Sequence, residues 1–207
     1  MKNLIVSVTL LIVAVINSGC PKPCIEANYS FAANSQITPD LDSVKVGDTI
    51  FLTSSFSTKL TDHASGQMID YGNSTGIGST LAVSNLPIGD TIAKDAVFNF
   101  DYTSLSGRVY NDRNIPRPDG VQQLTYQEIG GNYVLKVGLI AKQTGNYILG
   151  LGDGLSNGRN TSRSCEKASF NISINNTNQH FYLIENWVPG IILNDYGKKH
   201  VYYFKVY

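Results

Sequence analysis

The side chains of this sequence with chemical potential are few and widely spaced. Gly152-Asp153-Gly154-Leu155-Ser156-Asn157-Gly158 combines glycines with oxygen-bearing side chains, as calcium loops do. It offers a single carboxylate and none of the remaining EF-hand pattern, so it reads as an ordinary connection. Asp40, Asp42 and Asp48 lie close in sequence but without ligand spacing, and read as solvated turn residues. His63, His180 and His200 are scattered, and no Cys-x-x-Cys or Cys/His spacing accompanies them. No metal and no cofactor is expected. The chain has no His-Glu-x-x-His motif and no phosphate-binding glycine-rich loop. A hydrolase built from carboxylates without a motif is the weakest of the functional readings, because no acid/base pair can be picked out. The chain is expected not to be an enzyme.

Aromatic residues are the other chemical resource. Tyr182, Trp187, Tyr196, Tyr202, Tyr203, Phe204 and Tyr207 crowd the last part of the chain. Tyr and Trp offer large rigid surfaces to a sugar or a protein. Trp187, Tyr203 and Tyr207 are therefore the candidate ligand-binding residues. The competing reading places these rings in the core, since strand alternation buries about half of them.

The elements that must carry these residues read as strands. Ala27, Tyr29, Phe31 and Ala33 alternate with polar or small neighbours, as do Phe98, Phe100 and Tyr102. Ala168, Phe170, Ile172 and Ile174 form a third such series, and Tyr202, Phe204 and Val206 a fourth. Further strands are expected over 49–56, 80–83, 133–140 and 147–151. Gly47-Asp48, Gly89-Asp90, Pro118-Asp119-Gly120, Gly130-Gly131 and Gly145-Asn146 mark turns between them. A helical turn is expected over 122–129, and a strand or short helix over 179–187. The pattern implies an all-β fold, a β-sandwich in one domain.

Two stretches resemble immunoglobulin-like domains. Asp42-Ser43-Val44-Lys45-Val46-Gly47-Asp48-Thr49-Ile50 resembles the entry hairpin of bacterial Ig-like domains. Gln143-Thr144-Gly145-Asn146-Tyr147-Ile148-Leu149 resembles their tyrosine corner, where a tyrosine bonds back to the upstream backbone. The resemblance implies an immunoglobulin-like β-sandwich, with Tyr147 as the structural corner and Leu149 where antibodies have a cysteine. The family's core cysteine pair is missing, and Trp187 falls too late for the family's core tryptophan. The apolar runs after residue 174 imply an added C-terminal strand pair.

The first twenty residues resemble a bacterial lipoprotein signal. Met1-Lys2-Asn3 is basic, residues 4–16 are apolar apart from Ser7 and Thr9, and Ser18-Gly19-Cys20 closes the segment. Asn17 departs from the aliphatic residue usual there. The resemblance implies cleavage before Cys20 and lipidation of Cys20, with more than one acyl chain for a stable hold. It further implies a membrane partner through the lipid and a place in the bacterial cell envelope, at the outer membrane. The organisation is then signal peptide 1–19, lipidated tether 20–23 and one domain over 24–207. With Cys20 acylated, Cys24 and Cys165 remain as a candidate disulfide in an exported chain. In an Ig-like sandwich the strands they precede run side by side, which puts both at one pole.

Cleavage removes one lysine from a chain with sixteen basic and sixteen acidic side chains, leaving a formal charge of −1. Nucleic-acid binding, which needs a basic face, is excluded. The expectation is a non-catalytic binding or structural accessory module of the envelope, with a protein or glycan partner. The alternative is a carbohydrate-binding surface lipoprotein that uses the C-terminal aromatics.

Overall fold

Alternation decides which face of each strand is buried. In Lys167–Ile174 the side chains of Ala168, Phe170, Ile172 and Ile174 point inward, and those between them point out. The same rule turns Phe31, Ala33, Ser35 and Ile37 inward from Asn28–Thr38. The computed structural model describes residues 27–110, 120–159, 165–177 and 179–207. Its strands are β1 (Asn28–Thr38), β2 (Ser43–Val44), β3 (Thr49–Ser57), β4 (Lys59–Thr61), β5 (Met68–Asp70), β6 (Ile77–Asn85), β7 (Lys94–Asp95) and β8 (Phe100–Ser106). They continue as β9 (Arg108–Tyr110), β10 (Val121–Ile129), β11 (Asn132–Ala141), β12 (Gly145–Leu151), β13 (Gly154–Ser156), β14 (Lys167–Ile174) and β15 (Val201–Val206). Two short helices, α1 (Phe181–Trp187) and α2 (Asp195–His200), precede β15.

The fold is all-β, an immunoglobulin-like sandwich whose sides are sewn shut. One layer runs β14-β1-β3-β11-β8, with β1 parallel to β14 and antiparallel to β3. The other runs β2-β15-β12-β6-β10-β9. The seams are β13, which pairs β6 with β14, and the β10–β11 hairpin. Seven strands, β6-β13-β14-β1-β3-β11-β10, thus close back on β6 as a flattened barrel. Closure leaves open edges only at the short strands outside the circuit, among them β2 and β9, where a sheet could pair with another chain. The separate β4–β5 hairpin docks on β1 through His63 N–H to Ser30 O at 2.8 Å and Ser30 N–H to Asp62 Oδ1 at 2.9 Å.

Two apolar clusters fill the molecule. The larger lies between the layers and includes Phe31, Phe56, Tyr71, Tyr133, Phe170 and, nearer β12, Phe100, Tyr147 and Phe204. The smaller packs α1 onto the outer side of β15 through Leu86, Leu183, Ile184, Trp187 and Tyr203.

Three expectations need correction. Residues 122–129 form no helical turn but belong to β10, where Gln122, Leu124 and Tyr126 turn inward at period two. Phe98 is exposed on a 3₁₀ turn, Val97–Asn99, and the strand begins only at Phe100. The added C-terminal element is not a strand pair. It is one strand, β15, preceded by α1 and α2. Leu183, Ile184 and Trp187 share one side of α1, the spacing of a helix packed on one face. Cys20 and Cys24 lie outside the described residues, as does the tether.

Candidate functional site

Outward-facing side chains of four neighbouring strands form a groove on the β6 layer. Registers place them in two cross-strand rows. Leu155 lies opposite Gly78, which lies opposite Thr125, which lies opposite Arg108. Alongside, Thr80 faces Gln123, and Gln123 faces Tyr110. Gly78 has no side chain and its neighbours are short, so the centre is low and the ends are high. The depression measures about 520 Å³ and extends to Thr75, Gly76, Asp153 and Asn157. A glycine inside a strand weakens it, and marks a place where another group can approach the backbone closely.

The rims are apolar and aromatic. Leu155 is 61% exposed and Tyr110 42% exposed. The Arg108 guanidinium sits 4.8 Å from the ring centre of Tyr110, which lines one rim. At the other rim Asp153 is fixed by Ile172 N–H, 3.2 Å from Oδ1, with His200 Nδ1 at 4.0 Å. The backbone beneath is pinned to β6 by Gly152 N–H to Thr80 O at 2.8 Å and Ser79 Oγ–H to Gly152 O at 2.6 Å.

A buried polar clamp stiffens the end of the groove. Arg159 Nη1 donates to Glu166 Oε2 at 2.9 Å, and Arg159 Nε donates to Gly72 O at 2.9 Å. The guanidinium also lies 5.4 Å from the Tyr71 ring centre. Tyr71 Oη donates to Glu166 O at 3.0 Å, and Tyr133 Oη donates to Tyr71 O at 2.6 Å. Burial raises the Tyr71 hydroxyl and pushes that of Tyr133 up to about 12, so both remain neutral donors. Thr75 N–H to Gly158 O at 2.9 Å ties the two loops together.

The aromatic site expected from the sequence does not form. Trp187 is 2% exposed and Tyr203 3% exposed, both inside the smaller cluster. Tyr207 alone is open, at 62% exposure. A sugar has no access to the other two rings, which overturns that alternative. Tyr147 is buried. Its Oη donates to Gln143 O at 2.9 Å and accepts from Asn99 Nδ2 at 3.1 Å, which anchors the turn before β12. Leu149 is core. Asp40 accepts from Tyr202 Oη at 3.0 Å with His180 Nε2 at 3.6 Å, Asp42 accepts from Tyr182, and Asp48 caps its own turn at Lys45 N–H. Among the described residues no group of three or more metal-ligating side chains converges.

Sequence reasoning missed one pattern. Gly154-Leu155-Ser156-Asn157-Gly158 has the Gly-x-Ser-x-Gly spacing of a hydrolase nucleophile elbow. That motif needs an exposed serine on a strand-to-helix turn. Ser156 instead ends the strand β13, is 2% exposed, and has Tyr71 Oη at 3.2 Å and Gly158 O at 3.2 Å as partners. It is a structural hydroxyl. The groove itself was also missed, because each of its residues is unremarkable alone; Gly78 within a strand was the available signal.

No protein-family profile matches the chain, and no curated protein does. Solved structures do. The chain is similar to a cohesin module from a family 33 glycoside hydrolase of Clostridium perfringens, with 18% identity over 69% of this chain and 98% of that one, at a TM-score of 0.32. It is also similar to a chain of a type II cohesin–X-dockerin complex from Acetivibrio cellulolyticus, with 13% identity over 69% and 99% of the two chains and a TM-score of 0.32. A second type II cohesin module, from an adaptor scaffoldin of the same organism, shares 12% identity over 69% and 86%, at a TM-score of 0.31.

Proposed function

We propose that this chain is a non-catalytic binding module of the bacterial cell envelope, held at the membrane by lipid on Cys20, and that it engages a protein partner through the Gly78 groove. The groove carries this reading. It offers an aromatic–arginine pair and an exposed leucine on either side of a side-chain-free centre, all on paired strands. Tyr and Arg are the residue types that dominate binding energy in protein interfaces. Apart from Asp153 and Arg108, its side chains are neutral, which suits recognition rather than acid–base chemistry.

The same reading pairs Cys24 with Cys165. Lys167 N–H donates to Ala27 O at 2.8 Å where β1 and β14 start in parallel. Cys24 precedes Ala27 by three residues in sequence and Cys165 precedes Lys167 by two, and this closeness of the two strand starts is what supports the pairing. Leu155 pairs with Ser169, two residues into β14, so the groove lies in the half of the sandwich nearest those strand starts. A partner then approaches from the side, close to the membrane surface.

Two measurements test the reading separately. Intact mass of the membrane-extracted protein should show an N-terminus at Cys20 with acyl chains; an unmodified or differently cleaved N-terminus contradicts the anchor. Detergent-extracted native protein and its Gly78→Val variant should differ in one discrete co-purifying protein. Identical recoveries from both contradict the groove.

A further inference from the structure

The lining of the Gly78 groove carries one charge, and it is negative. Among the described lining residues Asp153 alone is ionisable as an acid or a base near neutrality, the others being glycines, hydroxyls, amides, a leucine and a tyrosine. The carboxylate is fixed at one oxygen and open at the other. Oδ1 accepts from Ile172 N–H at 3.2 Å and has His200 Nδ1 at 4.0 Å. Oδ2 has no partner among the described residues, and the side chain is 47% exposed. An ionised carboxylate only accepts, and a charged donor bonds it about twice as strongly as a neutral one.

The surroundings of that oxygen suit a long side chain with a charged end. Leu155, two residues on and 61% exposed, lines the same groove and offers an apolar surface. Gly78, its partner across the strands, leaves the floor bare, since a side-chain carbon there would meet nothing nearer than 3.9 Å. Lysine and arginine lay their methylene stems along apolar surface while the head reaches a charge. Thr80, Gln123, Thr125 and Asn157 supply further acceptors for the donors of such a head. Arg108 does not oppose it. From β13 to β9 there are three strand spacings, roughly 14 Å, which exceeds the screening length of about 8 Å at physiological salt.

We infer that the protein partner fills the groove with a lysine or arginine side chain, its stem over Gly78 against Leu155 and its head on Asp153 Oδ2. The inference rests on the groove being the partner surface, and adds the chemistry of what enters it.

Two comparisons on the full chain in detergent test it. The first titrates the ¹⁵N-labelled protein with an end-blocked peptide of alanine and serine around one central lysine, and with the same peptide acetylated on that lysine, which removes the charge and keeps the stem. Arginine against citrulline repeats the comparison. The amides of Gly78, Thr125 and Leu155 should shift, and a charged peptide should bind about three- to fivefold more tightly than its neutral counterpart, the span an exposed ion pair supports. Asp153→Asn keeps an acceptor for Ile172 N–H and should abolish that difference; the peptide pairs decide alone should the variant fail to fold. Equal affinities in both pairs, a difference that survives Asp153→Asn, or no shift at millimolar peptide overturns the inference. The second comparison recovers the native partner with detergent-extracted protein, and Asp153→Asn should lower that recovery. A recovery lowered by Gly78→Val and untouched by Asp153→Asn contradicts the basic side chain and leaves the groove standing. A recovery that neither variant changes contradicts the groove itself.

Discussion

Arg159 and Glu166 are both about nine-tenths buried and bonded to each other, so neither tolerates losing its partner. Arg159→Met leaves a buried carboxylate without its cation and should cost about 3–5 kcal/mol in denaturant unfolding. A paired Arg159→Met/Glu166→Gln variant should recover part of that loss. Asp62 responds to pH for a different reason. Hydrogen bonds from Ser30 N–H, the Ser65 hydroxyl and Ser65 N–H hold its carboxyl at about 2. Its folded pKa lies below the unfolded value of about 3.9, so its contribution is present above that value and is lost as the pH falls through about 2. Asp62→Asn should flatten the acid limb of stability across that window. Tyr133 acts at the other extreme. Its pKa is raised to about 12, so its stabilisation is present below about 10 and is lost as the pH rises towards 12. Chemical unfolding followed with pH should therefore show a steep alkaline limb, and Tyr133→Phe should make it shallower.

Among elements, β6 carries the most: it pairs with β10, β12 and β13 and supplies the floor of the groove. A side-chain carbon at Gly78 would find its nearest neighbours at 3.9 and 4.0 Å, and the position needs no left-handed backbone. Gly78→Val should fold with unchanged or slightly higher stability by calorimetry, because valine suits strands, while it fills the groove. At α1, Trp187→Ala should cost about 3–5 kcal/mol by opening the smaller cluster. Strands such as β3, β11, β12 and β14 were legible because each buries one face, so polarity alternates along the chain. The C-terminal segment misled because β15 buries both faces, one against the core and one against α1. That burial consumes Trp187 and Tyr203, the residues whose types looked most like a binding site. The groove was not legible because it is made by register: Leu155, Gly78, Thr125 and Arg108 are far apart in sequence and meet only across three strand pairings.

At the scale of the molecule, seven strands close on themselves, with the groove on one layer and a polar depression on the other. The parallel starts of β1 and β14 lie side by side, with Cys165 just ahead of β14. A bridge from Cys24 to Cys165 would close a very long loop, for which chain-entropy models give about 4–5 kcal/mol. Reduction, or Cys165→Ser, should lower the melting temperature of the exported protein; an unchanged melting temperature contradicts the pairing. The account as a whole rests on the groove as the surface that meets a protein partner. Its most direct test is site-specific photocrosslinking in intact cells, with a benzophenone residue replacing Tyr110 at the groove rim and, in a parallel strain, Lys59 on the β4–β5 hairpin, outside the groove lining. The account predicts one discrete protein adduct from position 110 that is absent from position 59 and lost when Gly78→Val is added. Equal adducts at both positions, or an adduct at 110 that survives Gly78→Val, would contradict it.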